Sequence, residues 1–191
     1  MTLVFFICFC PLLLALCPSN HMKVILMMVK TADGFIAKTP NQSPMEWTSK
    51  ADKDIFIKRT KEAGVIIMGL STYKTIGKPL PDRLNMIMTF KPEEETNIPG
   101  SLEFTSKQPT ELLADLESRG FKEAILGGGT MVNSLFLKAG LVDELQITIE
   151  PILFGGGLTL FRDLDLNIKL ELLEMKDLDG SVVNLRYKIL K

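Results

Sequence analysis

Between Met22 and Lys191 the sequence contains neither cysteine nor histidine. Thiolate and imidazole are the common ligands of zinc, haem and iron–sulfur sites and the common bases of hydrolytic triads. Those chemistries are excluded from this 170-residue stretch, and so is a disulfide framework. Proton transfer there falls to carboxylates, lysine, tyrosine, hydroxyls or water. Neither sign of charge is in excess: 22 Lys and Arg stand against 23 Asp and Glu, a net charge of −1. That balance gives no basic footprint for nucleic acid. No apolar run in the body is long enough to span a bilayer.

Residues 1 to 21 lack charged side chains altogether, yet hold all three cysteines (Cys8, Cys10, Cys17) and the one histidine, His21. Leu3 to Cys17 is apolar, interrupted by Pro11, and shorter than the roughly 18 residues of a membrane-spanning helix. It has the character of a signal-peptide core but lacks the basic n-region and the A-x-A cleavage pattern. Leu14-Ala15-Leu16-Cys17 only loosely matches a lipoprotein cleavage box. Two readings stand: an export or anchor signal, or an upstream start with Met22 as the true beginning, because a strand pattern opens at Lys23. The expected organisation is an apolar extension over residues 1–21 and one domain over 22–191, with a cytoplasmic body on the second reading.

Within the body, Lys23 to Lys30 is an apolar run of buried-strand length. A long loop, Thr31 to Trp47, follows it. Ser49 to Ala63 reads as an amphipathic helix capped by Ser49 and closed by Gly64. Val65 to Met68 is a second buried strand, after which Ser71 and Thr72 can cap a short helix to Ile76. Strands are expected at Leu84–Thr89, Leu102–Thr105, Glu123–Leu126 and Val142–Ile149, and helices at Thr110–Arg119 and from Thr130 to Ala139. Ile168–Met175 and Val182–Leu190 form a terminal hairpin around Asp179-Gly180. Alternating strands and helices that end in a hairpin predict an α/β fold. Its sheet is central and mostly parallel, with an antiparallel C-terminal hairpin and about four flanking helices.

Two strand-to-helix junctions carry glycine: Gly69-Leu70-Ser71-Thr72 and Gly127-Gly128-Gly129-Thr130. A helix start offers unpaired N–H groups and a positive dipole end, and glycine lets a phosphate approach the backbone, so two such ends could grip one pyrophosphate. Each could equally be a tight turn, since neither matches the P-loop or Rossmann fingerprint. Asp52 shares a helix face with Ile55 and Phe56, where a partly desolvated carboxylate could hold an amidine-like ring. Alternatively it is the N3 partner of the Ser49 cap. Trp47, Arg83 and Thr148 are each open between a packing or solvated role and a site role.

Taken together these residues resemble the dihydrofolate reductase superfamily over essentially all of 22–191. The most specific stretch is Val65 to Asn85 (VIIMGLSTYKTIGKPLPDRLN), supported by Trp47 with Asp52 five residues on. The resemblance implies a dihydrofolate-reductase-like fold and NADPH as cofactor. It places Gly69, Leu70, Ser71, Thr72, Gly127, Gly128, Gly129 and Thr130 on the cofactor phosphates, with Thr89, Phe90 and Lys91 nearby. Val29 and Ile36 would flank the nicotinamide.

Asp52 would be the active-site acid, Trp47 the loop tryptophan beside it, and Phe56 the pterin-packing aromatic. Thr148 would support the acid, Ile76 and Leu80 would line the substrate channel, and Arg83 would hold a glutamate-tail carboxylate. The implied reaction is reduction of dihydrofolate to tetrahydrofolate by a monomer or homodimer, with the Thr31–Trp47 loop as a lid. Val142 to Gly157 looks more like the reductase domain of riboflavin biosynthesis, whose ribosylaminopyrimidine phosphate is the alternative substrate. A nucleotide-binding protein without turnover is the other alternative, prompted by Leu70 and Val132, where many relatives carry a basic residue and a tyrosine.

Overall fold

The computed structural model describes residues 22 to 191 except 163 and 166; the expectations for residues 1–21 lie outside the described residues. Among the described residues ten strands are present: β1 Lys23–Thr31, β2 Phe35–Ala37, β3 Val65–Gly69, β4 Leu84–Met88, β5 Leu102–Thr105, β6 Glu123–Leu126, β7 Glu144–Glu150, β8 Leu158–Thr159, β9 Leu170–Asp177 and β10 Val183–Ile189. Four α-helices join them: α1 Lys50–Ala63, α2 Leu70–Ile76, α3 Pro109–Ser118 and α4 Thr130–Lys138.

Eight strands make one sheet in the order β5-β4-β3-β6-β1-β7-β10-β9. Every pairing from β5 to β7 is parallel, and β10 runs antiparallel to both β7 and β9. This is the mostly parallel sheet with an antiparallel C-terminal hairpin that the sequence pattern implies. A parallel sheet has both faces covered, which is why β1, β3 and β4 are apolar throughout rather than alternating. One face packs Leu112, Leu116 and Phe136 of α3 and α4 over Val24, Leu26, Val65, Ile67 and Leu126. The other carries Ile25, Met27, Ile66, Met68 and Ile125 beneath Ala63, Ile55 and Phe56 of α1 and Leu70, Tyr73 and Ile76 of α2.

Three local expectations are corrected. Ser71 and Thr72 do not cap α2: its N-cap is Gly69, with no side-chain cap. The Thr31–Trp47 segment is not a plain loop, because it contains β2 and a 3₁₀ turn at Pro44–Glu46. β2 pairs with β8 in a second, two-stranded sheet. A three-residue strand pairing with a two-residue one is too short to show a period in the sequence. Its existence depends on Gly157, at φ 145°, where a Cβ would lie 2.2 Å from the Ala37 carbonyl oxygen. The third concerns α1. Ser49 Oγ accepts the Asp52 N–H at 3.1 Å, but the reciprocal bond of a capping box goes elsewhere. The Ser49 N–H donates to Glu150 Oε1 at 2.8 Å, which leaves the Asp52 carboxylate free for another role.

Candidate active site

The C-terminal ends of β1, β3, β6 and β7 converge on one edge of the sheet, where ligands bind in open α/β folds. Successive residues of a strand face opposite sides, and β1 uses this to serve both halves of the site. Met28 points toward the α4 side, where a Cβ on Gly128 would sit 2.9 Å from its sulfur. Val29 faces the α1 side and lies opposite Thr148 of β7 in register.

The two glycine corners touch. Gly69 N–H donates to Gly128 O at 2.8 Å, and Gly127 N–H to Ile67 O at 2.8 Å. A Cβ on Gly129 would lie 3.0 Å from Thr72 Oγ1 and one on Gly69 3.1 Å from Val132. Glycine is needed here because the corners pack against each other. α2 and α4 therefore begin side by side, each with a glycine N-cap and no side-chain cap. Their first-turn N–H groups have no intrahelical acceptor, so the pair presents a concentrated positive potential suited to a diphosphate.

On the other side of β1, Asp52 is buried, at 7% exposure. The Thr148 hydroxyl of β7 acts on it as the donor that favours its charged form. Burial pushes the Asp52 carboxyl up to about 6; the Thr148 hydrogen bond opposes that rise, Glu150 reinforces it and Lys53 opposes it weakly. Glu150 is itself buried. The β7 alternation has a consequence here. Leu145, Ile147 and Ile149 join the apolar layer, while Glu144, Gln146, Thr148 and Glu150 form a polar row that is buried rather than solvated. Trp47 and Thr48 precede the α1 cap, and their Nε1 and Oγ1 are buried with no hydrogen-bond partner among the described residues. Two acids and two donors without partners thus lie along the start of α1 and the end of β7.

The loop above them is tied down. Asp33 accepts from the Thr31 hydroxyl at 2.5 Å and from the N–H groups of Phe154 and Gly155 at 3.1 and 2.7 Å. These bonds hold the Asp33 carboxyl below its usual range. Trp47 stacks edge-on against Phe154 at 5.0 Å. The second glycine triplet, Gly155 to Gly157, is therefore the clasp of this loop.

Phe56, Leu70, Ile76 and Leu80 pack half-buried on one apolar layer, and Ile36 is half-buried on β2. Other sequence candidates lie apart from the acid. Thr89 Oγ1 accepts the Lys91 N–H at 3.4 Å, Phe90 is 92% exposed, and Lys91 pairs with Glu94 at 2.6 Å. Arg83 is buried, with Nε on Pro81 O at 2.8 Å and Nη1 on the Thr60 hydroxyl and Ile57 O. Those bonds direct part of its guanidinium into the back of α1. Sequence reasoning missed Glu150, although the period of two in β7 puts it on the same face as Thr148. It also missed Gln146, which the same period places on that face, and Asn184, for which no local signal exists.

The Glu150 carboxylate can be tested directly. Glu150→Gln keeps an acceptor for the Ser49 N–H and removes the charge, so the Asp52 midpoint should fall from about 6. It should stay above the ordinary carboxylate value, because burial, the largest cause, remains. A carboxyl-carbon NMR titration reads this, and an unmoved midpoint would refute the coupling.

Sheet order and helix placement are those of a fold of the dihydrofolate reductase type. Within it, the family model of the RibD C-terminal domain matches residues 82–184, more than half of the chain, and the chain belongs to that family. The uncharacterized protein YwjB of Bacillus subtilis is 26% identical over 178 residues, covering 86% of this chain and 97% of YwjB. A solved Thermotoga maritima diaminohydroxyphosphoribosylaminopyrimidine deaminase/5-amino-6-(5-phosphoribosylamino)uracil reductase superposes with a TM-score of 0.71 at 18% identity. That match covers 89% of this chain and 57% of the Thermotoga protein. Enterococcus faecalis dihydrofolate reductase, solved with NADP(H), gives a TM-score of 0.68 at 19% identity over 88% of this chain and 97% of its own.

Proposed function

We propose that this chain is an NADPH-dependent reductase of a small substrate that carries a nitrogen heterocycle, and that this substrate is a ribosylaminopyrimidine phosphate. The observation that carries the reading is the buried Asp52, beside Thr148 of β7, with only β1 between that strand and the two joined and uncapped helix starts that follow β3 and β6. The residues present fit the cofactor: the α2 and α4 starts would hold its diphosphate, and Val29 and Ile36 would lie along its reactive ring. When bound, NADPH supplies hydride.

The chain's own residues do the rest. Asp52 and Glu150 accept hydrogen bonds from ring and exocyclic N–H groups and so orient the heterocycle. With its midpoint near 6, about one Asp52 in ten is protonated at pH 7, enough to hold a proton for the heteroatom bonded to the carbon that takes the hydride. Phe56, Ile76 and Leu80 form an apolar wall. The clasped loop and Trp47 exclude water.

Membership of the RibD C-terminal domain family over residues 82–184 favours the ribosylaminopyrimidine. The engagement of Arg83 with α1 also favours it, because a glutamate-tail carboxylate would have to compete with those bonds. Dihydrofolate is the second reading, favoured by the Asp52–Thr148 pair, which suits the amidine edge of a pterin. The test is NADPH oxidation with each compound, alongside calorimetric NADPH binding. Turnover with 5-amino-6-(5-phosphoribosylamino)uracil alone is the expected result. Turnover with dihydrofolate alone reverses the order of the two readings. NADPH binding without either turnover defines a nucleotide-binding protein and overturns both.

A further inference from the structure

Behind Thr148 stands a chain of buried amides that the reaction as described does not use. Gln146, Thr148 and Asn184 are 5%, 1% and 3% exposed, respectively. Gln146 Nε2 donates to Asn184 Oδ1 at 3.0 Å, and Asn184 Nδ2 donates to Thr148 Oγ1 at 2.9 Å. Asn184 and Thr148 face each other across the β7–β10 pair, with Arg186 opposite Gln146 in the next rung. The polarity runs from Gln146 through Asn184 to Thr148, starting at a glutamine whose Oε1 is buried with no partner among the described residues. An amide has one donor end and one acceptor end. Once its Oδ1 receives the Gln146 proton, Asn184 can only give a proton to Thr148. The threonine hydroxyl, having accepted on one lone pair, must then aim its own proton elsewhere, and Asp52 is its partner on that side.

We infer that Asn184, set by Gln146, is a positioning residue: it locks the Thr148 rotor so that the hydroxyl always donates to Asp52. An unlocked hydroxyl can turn away and leave the carboxylate without its donor. A locked one gives Asp52 a fixed orientation toward the cleft and a steady counterweight to desolvation. Buried side chains joined in a hydrogen-bonded chain are stiff in this way. The catalytic consequence rests on the reductase reading above, whereas the hydrogen-bond polarity does not. The charged groups that act on Asp52 are Glu150 from β7 and Lys53 from its own helix, and both are left intact by the test.

The experiment is a carboxyl-carbon NMR titration of Asp52 in the full chain without substrate, its signal identified by loss in Asp52→Asn. Asn184→Asp replaces the donor with an acceptor, which turns the Thr148 proton away from Asp52. The Asp52 midpoint should rise by about one pH unit, the scale of one hydrogen bond to a charged group. In a Thr148→Val background the same substitution should move it by less than half as much, since the relay is already cut. Equal shifts in both backgrounds would mean that the new charge acts through space, and that result overturns the proposal, as does no shift.

If Asn184→Asp does not fold, the neutral Asn184→Leu serves: a smaller upward shift supports the relay, and an unchanged midpoint overturns it. The pH profile of kcat/KM, read with whichever substrate turns over, should move in the same direction as the midpoint. A shifted NMR midpoint in a protein that reduces no substrate sinks the reductase reading and leaves the Asn184 assignment standing.

Discussion

Asp52→Asn is expected to lower kcat/KM by about 10²- to 10⁴-fold at neutral pH, the range of a lost general acid. NADPH affinity should be little changed. The split follows from the geometry. Asp52 sits with Thr148 at the end of β7, whereas the joined glycine corners follow β3 and β6, on the other side of β1 in the strand order. Steady-state kinetics and calorimetric cofactor binding check both halves. Loss of cofactor binding equal to the loss of turnover would place Asp52 in the fold rather than in the chemistry.

The same substitution should stabilise the protein in alkaline solution. Asp52 titrates near 6 in the folded chain against 3.8 unfolded, so the folded state holds its proton more tightly. A raised acid contributes stability that is fully present below the unfolded value and lost as pH rises through the folded one. The wild-type chain should therefore lose about 2 kcal/mol between pH 4 and 7 from this group. Asn carries no such penalty, so at pH 8 the variant should be about 2 kcal/mol more stable, and at pH 4 nearly equal to wild type. Urea melts across that pH range decide it, and parallel curves for the two proteins would refute the burial argument. A gain in stability alongside lost turnover is the pattern of a group kept for function.

Gly157→Ala is expected to be the most damaging small substitution in the loop. The new methyl would stand 2.2 Å from the Ala37 carbonyl oxygen, on a backbone at φ 145° that side chains rarely adopt. Backbone strain and the broken β2–β8 crossing together should cost about 2 to 4 kcal/mol. Because β2 carries Ile36 and the adjoining turn carries Trp47, turnover should fall about tenfold even where the protein stays folded. Gly156→Ala is the matched control: nothing lies within 4 Å of its Cβ position, and it should be neutral. Thermal melts and single-turnover kinetics on the pair check this. Similar behaviour of the two variants would show that the crossing does not hold the loop.

Much of the architecture could be read from local pattern. The apolar runs at Lys23, Val65 and Leu84 are buried parallel strands because only a sheet covered on both faces tolerates such runs. Gly64 and Gly77 end their helices in left-handed backbone at φ 75° and 80°, and Asp179-Gly180 turns the final hairpin. Asp52, Thr148 and the two glycine corners were legible as candidates, since each is a residue type with one or two chemical uses at its position.

By itself the sequence determined which chemistry is unavailable, where the eight strands of the main sheet and the four α-helices fall, and which few side chains could do proton transfer. Only the tertiary structure decided what those side chains do, because each decision depended on a partner distant in sequence. Glu150 took the Ser49 N–H that a capping box would have given Asp52, 101 residues away along the chain. Asn184 reached Thr148 across 36 residues, and Gly157 met Ala37 where two short strands cross. The periodicity of hydrophobic residues records local geometry; hydrogen-bond partners between strands, and the burial that shifts a carboxyl's proton affinity, exist only once the chain is packed.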